Sequence, residues 1–95
     1  MAKRKSEYRL HDGGQVPTQP TTILKIMSSP TFMFGVADVR AGLSHRSDYE
    51  RWDDNTQWDY ERGRQWARQA PRTVALKHNG KITDEAVRLY TDDII

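Results

Sequence analysis

The run Tyr49-Glu50-Arg51-Trp52-Asp53-Asp54-Asn55-Thr56-Gln57-Trp58-Asp59-Tyr60-Glu61-Arg62-Gly63-Arg64-Gln65-Trp66-Ala67-Arg68-Gln69-Ala70 decides how the rest of the chain is read. Tyr49, Trp52, Thr56, Tyr60, Gly63, Trp66, Ala67 and Ala70 recur in it at gaps of three and four, the spacing of one helix face. All three tryptophans of the chain lie here. Ser47-Asp48-Tyr49-Glu50 has the form of a capping box, which predicts a helix opening at 48. Acids crowd its first turns and Arg62, Arg64 and Arg68 its last, as the helix dipole favours. Pro71 closes it, so the prediction is one continuous helix over 48–70, roughly 34 Å long at about 1.5 Å per residue. Asp59 interrupts the stripe. Either it pairs with Arg62, or the helix breaks near Asn55-Thr56, where Thr56 and Asp59 would form a second cap; the continuous helix is the preferred reading.

Upstream, Ser29-Pro30 marks a helix start, because Ser accepts a bond from a free backbone N–H and Pro at the first helical position loses nothing. A helix over 30–41 follows. Phe32, Val36, Val39 and Leu43 form one apolar stripe and Phe34, Ala37 and Ala41 a second, which predicts a central helix, stopped by Gly42 in the left-handed conformation. Thr21 to Met27 fits a short strand or a helical turn equally well. Residues 1–20 are polar, with Gly13-Gly14, Pro17 and Pro20, and are read as a disordered or extended basic arm carrying Lys3-Arg4-Lys5. Downstream, Asn79-Gly80 between short apolar segments signals a type I′ hairpin near 73–83. Thr83-Asp84-Glu85 then caps a last helix, 84–92, with Ala86, Val87, Leu89 and Tyr90 facing inward. The expected fold is mainly α: a helical hairpin in which 30–41 packs antiparallel on one long central helix, plus a short β-hairpin and a C-terminal helix, with 21–95 as a single small domain.

At 95 residues, with 36% hydrophobic and 29% charged residues, the core must be small. The chain has no cysteine, which excludes disulfides and thiolate metal sites and fits a reducing cytoplasm. No apolar stretch approaches the ~20 residues a membrane helix needs. Net charge is only +2, yet the charges are sorted. Asp48, Glu50, Asp53, Asp54, Asp59 and Glu61 crowd 48–61, whereas Arg62, Arg64, Arg68, Arg72, Lys77 and Lys81 occupy 62–81 with no acid among them.

Catalytic and cofactor signatures are missing. Gly13-Gly14 lacks the strand, helix and Lys-Ser/Thr of a phosphate loop. His11, His45 and His78 are too far apart to propose a metal site. The acids near 48–54 sit at a helix start without apolar neighbours to raise a pKa. Ser44, His45 and Asp48 are close in sequence, which is no evidence of a triad. The expectation is therefore a non-enzyme without cofactor, metal or small-molecule substrate. What remains is a binding surface. On a helical wheel Arg64 and Arg68 lie opposite the aromatic stripe, and Arg62, Arg72, Lys77 and Lys81 would extend a phosphate-binding patch. Trp58 is the tryptophan off the stripe, a frequent kind of interface anchor.

The segment Phe34-Gly35-Val36-Ala37-Asp38-Val39-Arg40-Ala41-Gly42, with Tyr49, Gln57-Trp58 and Tyr60-Glu61-Arg62-Gly63-Arg64-Gln65-Trp66-Ala67, resembles the ribosome modulation factor and related small phage and bacterial proteins. The likeness covers about 34–67 and includes an internal echo, Phe32-x-x-Gly35 against Tyr60-x-x-Gly63, in which glycines let two helices approach closely. It implies a small helical hairpin that docks on RNA or a nucleoprotein such as the ribosome. The other expected class is a phage-type inhibitor or adaptor that binds a host protein through its acidic and aromatic helix surface.

Overall fold

The computed structural model describes residues 20–95; the arm before Pro20, with Lys3-Arg4-Lys5, lies outside the described residues. Helix α1 spans Pro20–Met27 and α2 Pro30–Arg40. A 3₁₀ turn, Tyr49–Arg51, precedes the long helix α3, Asp54–Gln69. Strands β1, Lys77–His78, and β2, Lys81–Ile82, form the hairpin, and α4, Asp84–Arg88, closes the chain. The architecture is mainly helical around one central helix, as the sequence predicts.

The segment 21–27, ambiguous in sequence, is helical because its apolar residues fall on one side. Ile23 and Met27, one turn apart, are buried against α2 and α4, while Leu24 faces outward. Ser29 caps α2 by accepting from the Thr31 amide at 3.2 Å. Gly42 ends α2 at φ +75°, with its amide on Val39 O at 2.9 Å and that of Leu43 on Asp38 O at 2.8 Å, the paired bonds of a Schellman stop. The expected second apolar side of α2 does not pack, since Phe34, Ala37 and Ala41 are exposed; on the first, Phe32 and Val36 are buried, Val39 is half-buried and Leu43 is exposed. The buried side of the helix lies mainly against α3.

Contact between α2 and α3 depends on two glycines. A Cβ on Gly63 would run into Phe32 backbone, and one on Gly35 would meet the Tyr60 carbonyl and the Arg64 amide. The paired Phe32-x-x-Gly35 and Tyr60-x-x-Gly63 segments are thus the place where the two backbones touch. Trp66 lies against Phe32, with ring centroids 6.4 Å apart, and its indole N–H donates to Ala86 O at 3.0 Å, which ties α4 to α3.

The helix over 48–70 is not continuous. It breaks at Trp52-Asp53, both extended, and α3 begins at Asp54 with Asp53 as its cap, accepting from the Thr56 amide at 2.9 Å. The Ser47 capping box does not form; Asp48 holds the cap position of the 3₁₀ turn without a side-chain capping bond. The reason is tertiary. In one helix Tyr49 and Tyr60 would stand about 16 Å apart along the axis, whereas here the chain folds back so that their rings lie 5.7 Å apart. Trp52 packs edge-on against both. Asp59 does pair with Arg62, at 3.0 Å.

Past Pro71 the hairpin pairs Lys77 with Ile82 and His78 with Lys81, and Asn79 and Gly80 supply the two positive φ angles of its turn. Thr83 caps α4 through the Ala86 amide at 3.0 Å. Helix α4 is shorter than the expected 84–92. It ends at Arg88, and the turns after it bring Tyr90, Ile94 and Ile95 into buried positions.

Candidate nucleic-acid interface

Helix α3 buries a second stripe next to its aromatic one. Gln57, Glu61 and Arg64 follow one another at helical spacing, and all three are buried. Gln57 and Glu61 are bonded to His45 and Tyr49 of the 41–53 connection, and Arg64 lies against α2. This corrects the expectation that Arg64 faces solvent: it is only 6% exposed. Its guanidinium lies 5.6 Å from the Tyr60 ring centroid and Nη1 donates to the Tyr60 hydroxyl at 3.4 Å. Arg64 Nε has no hydrogen-bond partner among the described residues. Helical-wheel reasoning misplaced it because α2, through Gly35 and Asp38, comes against that side of α3, a wall that periodicity does not show.

The buried polar side chains form two linked groups. Tyr60 donates to Asp38 at 2.5 Å, and Arg46 grips the same carboxylate through Nε at 3.0 Å and Nη2 at 3.2 Å. The Arg46 guanidinium, above all, holds the Asp38 carboxyl below its ordinary range, against the opposing effect of burial; the Tyr60 hydroxyl and the charge of Arg64 add to it. Burial first, then the bond to Asp38, raises the Tyr60 hydroxyl above its ordinary value. In the second group Glu61 Oε2 accepts from the Tyr49 hydroxyl at 2.7 Å and lies 2.7 Å from His45 Nε2, while Gln57 donates to Tyr49 O at 2.8 Å. Together they fasten the 41–53 connection to both helices. No group of three metal-ligating side chains occurs among the described residues.

Arg62 is also engaged internally. It pairs with Asp59 and donates from Nε to Ile95 O at 2.6 Å. Trp58 is half-buried. Arg68, Arg72, Lys77 and Lys81 are exposed, and none of them has an ion pair with a described residue. Arg68 follows Arg64 by one turn and leaves α3 on the same side. The structure adds a residue that sequence reasoning left aside. Arg40, at the end of α2, reaches across to α3, its guanidinium 5.2 Å from the Trp66 ring centroid and Nη2 donating to Pro71 O at 3.3 Å. That places it beside Arg72. Burial, and then the neighbouring charge of Arg72, lowers the Arg40 pKa from its ordinary value. A pair brought together by a cross-helix contact leaves no spacing signal in sequence.

In comparison with known proteins, no family model, curated protein or solved structure matches the chain. No helix among the described residues is long and apolar enough to cross a membrane.

Proposed function

We propose that this protein is a non-catalytic, cytoplasmic binding module, a small bacterial or phage regulator, that docks on RNA or an RNA–protein particle through the cationic edge at the C-terminal end of α3. The carrying observation is the placing of Arg40 beside Arg72 with no acidic side chain paired to either among the described residues. Cations held together without a counter-charge repel one another, and a phosphate backbone relieves that repulsion while releasing its own counterions. Arg68 adds a charge on the same end of α3, and Lys77 and Lys81 add two more on the hairpin. The likeness of residues 34–67 to ribosome modulation factor supports the same reading. Arg62 and Arg64, engaged inside the fold, serve it only by shaping α3.

The test is RNA affinity against salt, measured by anisotropy with a fluorescein-labelled stem-loop carrying a single-stranded tail. Affinity is expected to fall steeply as salt rises, and Arg68→Ala with Arg72→Ala should reduce the slope of log K against log salt by about 1–2. Binding indifferent to salt, or recovery from lysate of one and the same protein whether or not nuclease is present, overturns the reading in favour of a protein partner.

A further inference from the structure

Phe34 and Leu43 stand out as large apolar side chains in contact with solvent, 46% and 56% exposed. Phe34 is not bare: the Arg46 guanidinium lies over its ring, 4.7 Å from the centroid. That guanidinium cannot swing freely, because its two bonds to Asp38 fix its plane and Asp38 itself is buried. The Arg46 side chain nevertheless remains 43% exposed. Beside this stack opens a depression of about 640 Å³, walled by Leu43, Ser44, His45, Arg46 and Ser47 together with the carboxylates Asp38 and Asp48. Asp38 is taken up by Arg46, so the rim offers hydroxyls, an imidazole and the Asp48 carboxylate. A flat cation locked onto an aromatic ring, next to an apolar wall and such a rim, is the chemistry that receives a planar heteroaromatic group.

We propose that the Phe34–Arg46 stack and the adjoining depression seat one unpaired nucleobase, so that the RNA partner is recognised at a single-stranded loop, bulge or end. This rests on the RNA reading above and narrows it. Bases in an A-form duplex are stacked and their deep groove admits no side chain, whereas a splayed base presents a whole face and an edge. Stacking supplies the contact to the face, and Ser44, His45 and Ser47 offer donors and acceptors to the edge. Because Asp38 already neutralises Arg46, the platform adds affinity without adding a phosphate contact. It therefore separates experimentally from the cationic edge: one contribution depends on salt and the other does not.

The experiment compares two fluorescein-labelled RNAs of equal length, an unstructured single strand and a fully paired duplex, against the wild type, Phe34→Ala, Phe34→Trp and the Arg68→Ala/Arg72→Ala double variant. Phe34 is exposed, so its replacement leaves the core intact. The wild type should prefer the single strand. Phe34→Ala should weaken single-strand binding roughly 5- to 150-fold, the range for losing one stacked base, with duplex binding and the salt slope unchanged, and Phe34→Trp should retain it. The double variant should lower the slope for both RNAs. An effect of Phe34→Ala below twofold, or an equal loss on strand and duplex, overturns the platform while leaving the cationic edge standing. A wild type that binds neither RNA overturns both.

Discussion

Gly35 and Gly63 show how much of the fold rests on single atoms. Each sits where a Cβ would enter the backbone of the opposite helix, so Gly63→Ala or Gly35→Ala forces α2 and α3 apart. Overpacking of this kind typically costs about 1–3 kcal/mol, and neighbouring backbone yields less readily than a side chain, so the loss belongs at the upper end. In a domain of this size that lowers the melting temperature by about 10 °C or more, measurable by circular dichroism. Asp38 gives the corresponding electrostatic test. Its carboxyl is held below the ordinary value, so the stabilisation is complete above the unfolded pKa of about 3.9 and disappears as pH falls through the lower folded value. Tyr60 acts in the opposite sense. Its pKa is raised, so its contribution is complete below about pH 10 and is lost as pH rises through the higher folded value. Urea midpoints against pH should show both limbs. Asp38→Asn should flatten the acid one and cost about 1–3 kcal/mol at neutral pH; Tyr60→Phe should flatten the alkaline one.

Local capping signals for α2 and α4 were legible because each is settled by a side chain and an amide two or three residues away: Ser29 to Thr31 and Thr83 to Ala86. Gly42 and the Asn79-Gly80 turn were equally plain, since positive φ is a local property. The start of α3 was not. The sequence sets Ser47 with Glu50 against a second cap of Thr56 with Asp59, whereas the cap that forms is Asp53, accepting from the Thr56 amide. What decides it is Tyr49, whose hydroxyl and carbonyl are taken up by Glu61 and Gln57 and whose ring packs against Tyr60. The choice is checked by a pair of substitutions. Asp53→Ala should destabilise by about 1 kcal/mol, the usual loss for a helix cap. Ser47→Ala should stay within about 0.5 kcal/mol. Equal losses at the two positions in thermal unfolding would contradict a helix that opens at Asp54.

Across the whole molecule, charge is sorted in sequence, but burial then divides the basic group. Arg62 and Arg64 turn inward, Arg68, Arg72, Lys77 and Lys81 stay outside, and Arg40 joins Arg72 from another helix. A charge-reversal test belongs at this scale. Replacing Arg68 and Arg72 by Glu should abolish RNA retention at physiological salt and shift stability by no more than about 0.5 kcal/mol per site, as for exposed positions. Arg64→Ala should instead destabilise the fold, because it removes a buried group that Asp38 and Tyr60 face. Comparing the two variants by anisotropy and urea titration separates contact from scaffold. Sequence alone was enough for the helical class, the stops of α2 and α3 and the hairpin, because periodicity, capping and backbone φ act over a few residues, and the echo of Phe32-x-x-Gly35 in Tyr60-x-x-Gly63 pointed to the two touching glycines. Tertiary structure alone decided where α3 begins, which arginines reach solvent and that Phe34 carries the Arg46 guanidinium. Those features depend on how α2, α3 and the 41–53 connection pack together, and contacts between groups distant in the chain have no period to betray them.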